Sequence, residues 1–121
     1  MNDRELLELA AKAAGIAVPK QSPWGGFDDR LGFYELASDG SHVTSKWNPL
    51  EDDGDALRLA VKLQLTICNE HINAGVAYCT NGDTDYPSVA SGENEKQVID
   101  SDFTATRRAI VLAAAEIGRD K

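Results

Sequence analysis

The sequence predicts an α+β domain, drawn as a layered α/β/α sandwich of two antiparallel hairpins, about four strands, with three helices. Three observations carry this reading. Apolar residues recur at helical spacing in three segments, near residues 3–14, 53–63 and 102–117. Between them lie two pairs of strand-like segments, one joined at Asp39-Gly40 and the other at Asn73-Ala74-Gly75. The middle helix has only Arg58 and Lys62 as polar members from Ala56 to Leu63. A helix that apolar is expected to be covered on most sides, here by sheet and by a neighbouring helix.

Asn2 or Asp3 can cap the first helix, and Glu5, three residues after Asn2, makes a capping-box pattern. Leu6, Leu9, Ala10 and Ala13 form its apolar stripe, widened by Leu7 and Ala14. Arg4, Glu8 and Lys12 take the opposite face, with Glu8 and Lys12 at ion-pairing spacing. Gly15 is the expected stop. Ile16 to Val18 could start a short strand, confined to an edge by Pro19. Lys20 to Arg30, with Pro23, Gly25 and Gly26, reads as a loop. Its two aromatics, Trp24 and Phe27, either fold back on the core or line a partner surface.

Leu31 to Ala37 and His42 to Trp47 are the strands of the first hairpin, and Asn48-Pro49 breaks the second of them. Asp52 or Asp53 caps the second helix, with Asp55 in the first turn, where negative charge complements the helix dipole. Gln64 to Asn69 and Gly75 to Thr80 form the second hairpin. A turn centred between Asn73 and Ala74 sets Cys68 opposite Cys79, whereas a bulge at Gly75 shifts that register by one. Asn81 to Asn94 is a polar loop with a brief strand near Val89. The third helix begins near Asp102 and buries Phe103, Ile110, Ala113, Ala114 and Ile117, broadened by Val111 and Leu112. Gly118 is read as closing it.

At 121 residues the chain fits a single domain, 1–121, with loops at about 20–30 and 81–101. Its 42% hydrophobic and 7% aromatic content suits a soluble globular protein rather than a disordered one. No apolar run approaches the roughly 18 residues of a membrane span. No basic region followed by an apolar stretch opens the chain, so a cytoplasmic location without membrane contact is expected. A net charge of −8 repels phosphates and disfavours direct nucleic-acid binding; Arg107-Arg108 and Arg119/Lys121 are its basic clusters. Two cysteines, Cys68 and Cys79, cannot build a disulfide framework and are read as free thiols on strands.

Glu51, Asp53 and Asp55 alternate as calcium ligands do, but the sixth position is Ala56 where a turn glycine belongs. Asn81, Asp83 and Asp85 alternate likewise, with Tyr86 at the sixth position and Gly92 at the twelfth. Cys68, His71, Cys79 and His42 are zinc-ligand types without the paired spacing of a finger or ribbon. Neither histidine lies in a nucleophile motif, and no glycine-rich loop joins a strand to a helix. The expectation is therefore a non-enzymatic protein with no catalytic residue, no metal and no cofactor.

The run Trp47-Asn48-Pro49-Leu50-Glu51-Asp52-Asp53-Gly54-Asp55-Ala56-Leu57-Arg58-Leu59-Ala60-Val61-Lys62-Leu63 resembles the phage ABA sandwich domain family of small bacteriophage and prophage proteins. Thr106 to Val111, Ala113 to Arg119, Leu6 to Ala10 and Ala13 to Ile16 share the resemblance, which covers the two ends and the middle of the chain. It implies an α-β-α sandwich, a phage or prophage origin and so the bacterial host cytoplasm. It implies no reaction and no ligand, and it transfers no site residues.

The expected function is that of a phage accessory protein acting by binding a host or phage protein. The candidate partner surface joins Trp24 and Phe27 to Asp83, Asp85 and Tyr86. One alternative is a protein that sequesters a small ligand, a nucleotide signal of host defence, in a pocket with convergent polar groups. Another is an acidic DNA mimic, which needs carboxylates in two rows; here they are scattered apart from Glu51 to Asp55. Self-association is left open. If the acidic run caps the second helix, Asp52→Ala or Asp53→Ala should cost ~0.5–2 kcal/mol in urea denaturation, and no loss in either would contradict capping. Leu57→Ala, in a helix covered on most sides, is expected to cost about 2–5 kcal/mol.

Overall fold

The computed structural model describes residues 1–91 and 98–121. In chain order it contains α1 (Asp3–Ala14), β1 (Gly25–Asp28), β2 (Gly32–Leu36), β3 (Val43–Trp47), α2 (Asp53–Lys62) and β4 (Thr66–Glu70). The one-turn α3 (His71–Ala74), β5 (Val76–Asn81), β6 (Thr84–Asp85), β7 (Val89–Ala90) and α4 (Asp100–Arg119) follow. The class is α+β. One antiparallel sheet has the order β1-β2-β3; in the other, β5 pairs with β4 on one edge and with β6 and β7 on the opposite edge.

α4 is the spine. At about 100° per residue its side chains fall into two nearly opposite stripes. Arg108, Val111, Ala115 and Gly118 face α1: Arg108 donates to Asp3 at 2.9 Å, and Gly118 lies against the backbone of Leu9. Asp102, Thr106 and Ile110 face the second sheet and α3, where Thr106 meets His71. α1 offers Leu6, Leu7, Ala10, Ala11, Ala13 and Ala14 to the core. Alanines on both helices let the two backbones approach closely, and Gly118 marks the tightest point, since a Cβ there would overlap the Leu9 carbonyl oxygen. Gly118 is therefore a buried residue inside α4 and not its stop.

Local signals at the helix ends agree with the chemistry of the sequence. Asn2 caps α1, accepting from the Glu5 N–H at 2.8 Å, and Gly15 ends it at φ 72°. The ion pair on its outer face is Arg4–Glu8 at 3.1 Å, and among the described residues Glu8 and Lys12 form none. Asp52 caps α2, accepting from the Asp55 N–H at 2.8 Å. α4 starts at Asp100, earlier than expected, and Asp102 in its first turn accepts from the Ile99 N–H at 2.9 Å.

The strands are more numerous than the two hairpins expected. Ile16 to Val18 forms no strand, while the segment read as a loop from Lys20 to Arg30 contains β1. Glycine hid it: Gly25 sits so near β2 that a Cβ would lie 2.5 Å from the Tyr34 carbonyl oxygen. Between β2 and β3, Phe33 pairs with Trp47, and the turn carries Gly40 at φ 73°. In the second hairpin α3 replaces a tight turn, and Gly75 closes it at φ 65°. The register that results pairs Ile67 with Cys79 and Cys68 with Tyr78, so the cysteines take opposite faces. Cys79 is fully buried, which pushes its thiol up to about 11. Part of the segment read as the loop 81–101 is an edge strand, β6 and β7, interrupted at Pro87, which has no N–H to give. Tyr86 N–H continues that ladder to the Cys79 carbonyl at 3.0 Å. Residues 92–97 of that segment lie outside the described residues, and its end, from Asp100, belongs to α4.

α2 departs most from expectation. It buries Asp55, Ala56, Leu59 and Ala60, yet Leu57 and Val61 are 58% and 68% exposed. Phe103 of α4, also expected in the core, is 52% exposed. It falls on the flank of α4 between the two stripes, beside Leu57.

Two outcomes follow for denaturant unfolding. Gly118→Ala should destabilise by about 1–3 kcal/mol through overlap with α1, although alanine is the better helix former by about 1 kcal/mol. Leu57→Ala should stay within about 0.5 kcal/mol, as expected of an exposed side chain, and a loss of several would return α2 to the core.

Candidate functional site

The acids at the start of α2 are bound into the fold. Asn48, buried after β3, donates its backbone N–H to Asp55 Oδ2 at 2.9 Å and its side-chain amide to the Arg30 carbonyl at 3.0 Å. Asp55 Oδ1 accepts from Arg58 at 2.7 Å. Arg107 of α4 donates Nε to the Leu50 carbonyl at 2.9 Å and Nη1 to Asp53 at 2.7 Å. Asp52, Asp53 and Asp55 thus cap, anchor and dock α2. Among the described residues no three His, Cys, Asp or Glu side chains converge as metal ligands would. Cys68 and Cys79 point to opposite faces of their sheet, and Gly92, the twelfth position of the second calcium-like run, lies outside the described residues.

Between α2 and α4 runs an apolar groove of about 170 Å³. Leu57 and Phe103 form its lips, Ile67 and Ile110 line it deeper, and the Asp53–Arg107 pair borders it. Val61, one turn beyond Leu57 on α2, prolongs the exposed apolar strip. A shallower hollow adjoins it, where Asp100 lies with Phe103 and Thr104. Among the described residues neither Asp100 nor Glu51, two positions before Asp53, forms an ion pair.

Thr106 reaches from this groove into a buried polar cluster. His71, 7% exposed, places Nε2 2.9 Å from Thr106 Oγ1, and its Nδ1 lies 3.5 Å from Oδ1 of Asp102, itself 1% exposed. Carboxylate, imidazole and hydroxyl stand in the order of a hydrolytic triad. The proton placement differs from one, because the Thr106 hydroxyl donates to the Asp102 carbonyl at 2.9 Å and so accepts from His71 Nε2. This leaves His71 Nδ1 and Asp102 Oδ1 without a hydrogen bond among the described residues, as is Ser91 Oγ. The cluster clamps α3, and with it the β4–β5 connection, to the first turns of α4. Sequence reasoning weighed His71 only as a zinc ligand; the i,i+4 spacing of Asp102 and Thr106 was the one local sign of a shared helix face.

The residues expected to form the partner surface separate into two groups. Trp24 is 57% exposed just before β1, while Phe27 is half-buried, edge-on to Phe33 with ring centroids 5.2 Å apart. Asp83 and Asp85 are exposed around β6, and Tyr86 is half-buried against the core. The first two belong with the β1-β2-β3 sheet and the other three with the second sheet; no hydrogen bond or ion pair among the described residues joins the groups. No protein family, curated protein or solved structure matches this chain.

Asp102→Ala removes both the acceptor for the Ile99 N–H and the carboxylate beside His71, and should cost about 1–3 kcal/mol in denaturant unfolding. An unchanged midpoint would mean that the cluster fastens nothing.

Proposed function

We propose that this chain is a bacteriophage or prophage accessory protein that acts by binding a host or phage protein through the α2–α4 groove. The phage origin, and with it the host cytoplasm, rests on the resemblance of the Trp47 to Leu63 run and the segments that accompany it. The binding role rests on one observation: Leu57 and Phe103, two large apolar side chains lining a single groove, are each more than half exposed, and Val61, one helical turn from Leu57, is exposed as well. Contiguous exposed apolar side chains beside a concave surface mark interaction sites, whereas single ones do not. For that reason the groove is preferred to Trp24, Phe27, Asp83, Asp85 and Tyr86, which divide between two sheets.

Charge narrows the partner. Asp100 in the adjoining hollow, without an ion pair among the described residues, and a chain net charge of −8 favour a segment with apolar anchors and a basic flank. A basic amphipathic helix laid between α2 and α4 meets both requirements. The same charge opposes a second copy of this chain in that place, because two acidic helix starts would face each other.

Wild-type protein and a Leu57→Asp/Phe103→Asp variant serve as paired baits in host cells carrying the phage. A partner retained by the wild type and lost by the variant, at unchanged thermal midpoint and more weakly at higher salt, is the expected result. A partner held equally by both sinks the reading.

A further inference from the structure

A second concavity, sharing no lining residue with the groove, lies between α1, the segment from Val18 to Gln21, and Phe33 of β2, with a volume of about 650 Å³. That volume is in the range of small-molecule sites. Leu9, Val18, Pro19 and Phe33 give it apolar walls, and Lys12 and Lys20 both border it. Arg4 and Glu8 at its rim neutralise each other at 3.1 Å, leaving Lys12 and Lys20 against the single carboxylate of Glu5. Among the described residues neither lysine ammonium makes a hydrogen bond or ion pair. In a chain of net charge −8, a cleft with net positive charge departs from the surface around it.

We propose that this cleft binds a small amphipathic organic anion. Its carboxylate or phosphate would sit between Lys12 and Lys20, and its aliphatic or aryl body would lie on Leu9, Val18 and Phe33. Gln21 accepts the Phe27 N–H through its Oε1 at 3.2 Å, which holds the amide in place and leaves its Nε2 donors to add to the lysines' hold on an anionic head. Recognition then rests on an apolar body joined to a negative head, and the ligand is a free small molecule held in the cleft.

Isothermal titration of the intact chain with laurate, below its micelle-forming concentration, tests this. Dodecyltrimethylammonium, with the same tail and the opposite head, and inorganic phosphate, with no tail, are the comparison probes. The expected result is saturable binding of laurate at one site, with both comparison probes about tenfold weaker or worse, because each lacks one half of the recognition. Lys12→Glu/Lys20→Glu should lose laurate by at least about tenfold while keeping the thermal midpoint, since both lysines are exposed. A single Lys20→Ala should weaken it in the same direction. Leu57→Asp/Phe103→Asp should bind laurate as the wild type does, which separates this site from the groove. Failure of laurate to bind, equal binding of the cationic tail, or unchanged binding by the double lysine variant overturns the proposal.

Discussion

α1 and α4 meet with almost no side chain between their backbones at Gly118 and Leu9, and the other contacts of the domain are arranged around that approach. Small side chains achieve it. Ala10, Ala11, Ala13 and Ala14 on α1 face a partner that also buries Ala105, Ala109, Ala113, Ala114 and Ala115. Alanine gives up buried area per residue, but it brings the helices close and makes the contact intolerant of added volume. Arg108 to Asp3 at 2.9 Å and Lys121 to the Ala13 carbonyl at 2.8 Å extend the contact along α1.

With one stripe of α4 given to α1 and the opposite stripe to the second sheet and His71, only a flank remains for α2. That geometry explains why α2 uses Ala56, Leu59 and Ala60 to dock and leaves Leu57 and Val61 outside. It also explains why the start of α2 is so heavily fastened. Asn48, Asp52, Asp55 and the Arg107 bonds to Leu50 and Asp53 fix the helix from its acidic end, where its apolar contact with α4 is narrow. The acidic run is thus an anchoring device, and the apolar strip beside it is what remains free to meet something else.

Much of the architecture was legible in the sequence because its signals are local. Asn2, Gly15, Asp52, Gly40 and Gly75 each act within a few residues of themselves, through a cap or a left-handed turn. The misreadings came where a local pattern has two physical causes. Gly118 looks the same whether it ends a helix or admits a neighbouring backbone, and Gly25 and Gly26 look the same in a loop or in a strand pressed on its neighbour. The apolarity of α2 showed that Leu57 and Val61 gain by being covered, but not that this chain itself would cover them. The His71 cluster joins residues 35 apart, a relation that no periodicity reports.

Native-state hydrogen exchange, followed amide by amide, tests the account most directly. If α4 is the spine and α2 is held through one face and its anchored start, the amides of Leu7 to Ala11 and Ala109 to Ala115 should exchange only through global unfolding. Those of Leu57 to Val61 should exchange through a smaller opening of lower free energy. Protection in α2 equal to that in α4 would contradict it, because α2 would then be as deeply committed to the core as the helix it leans on.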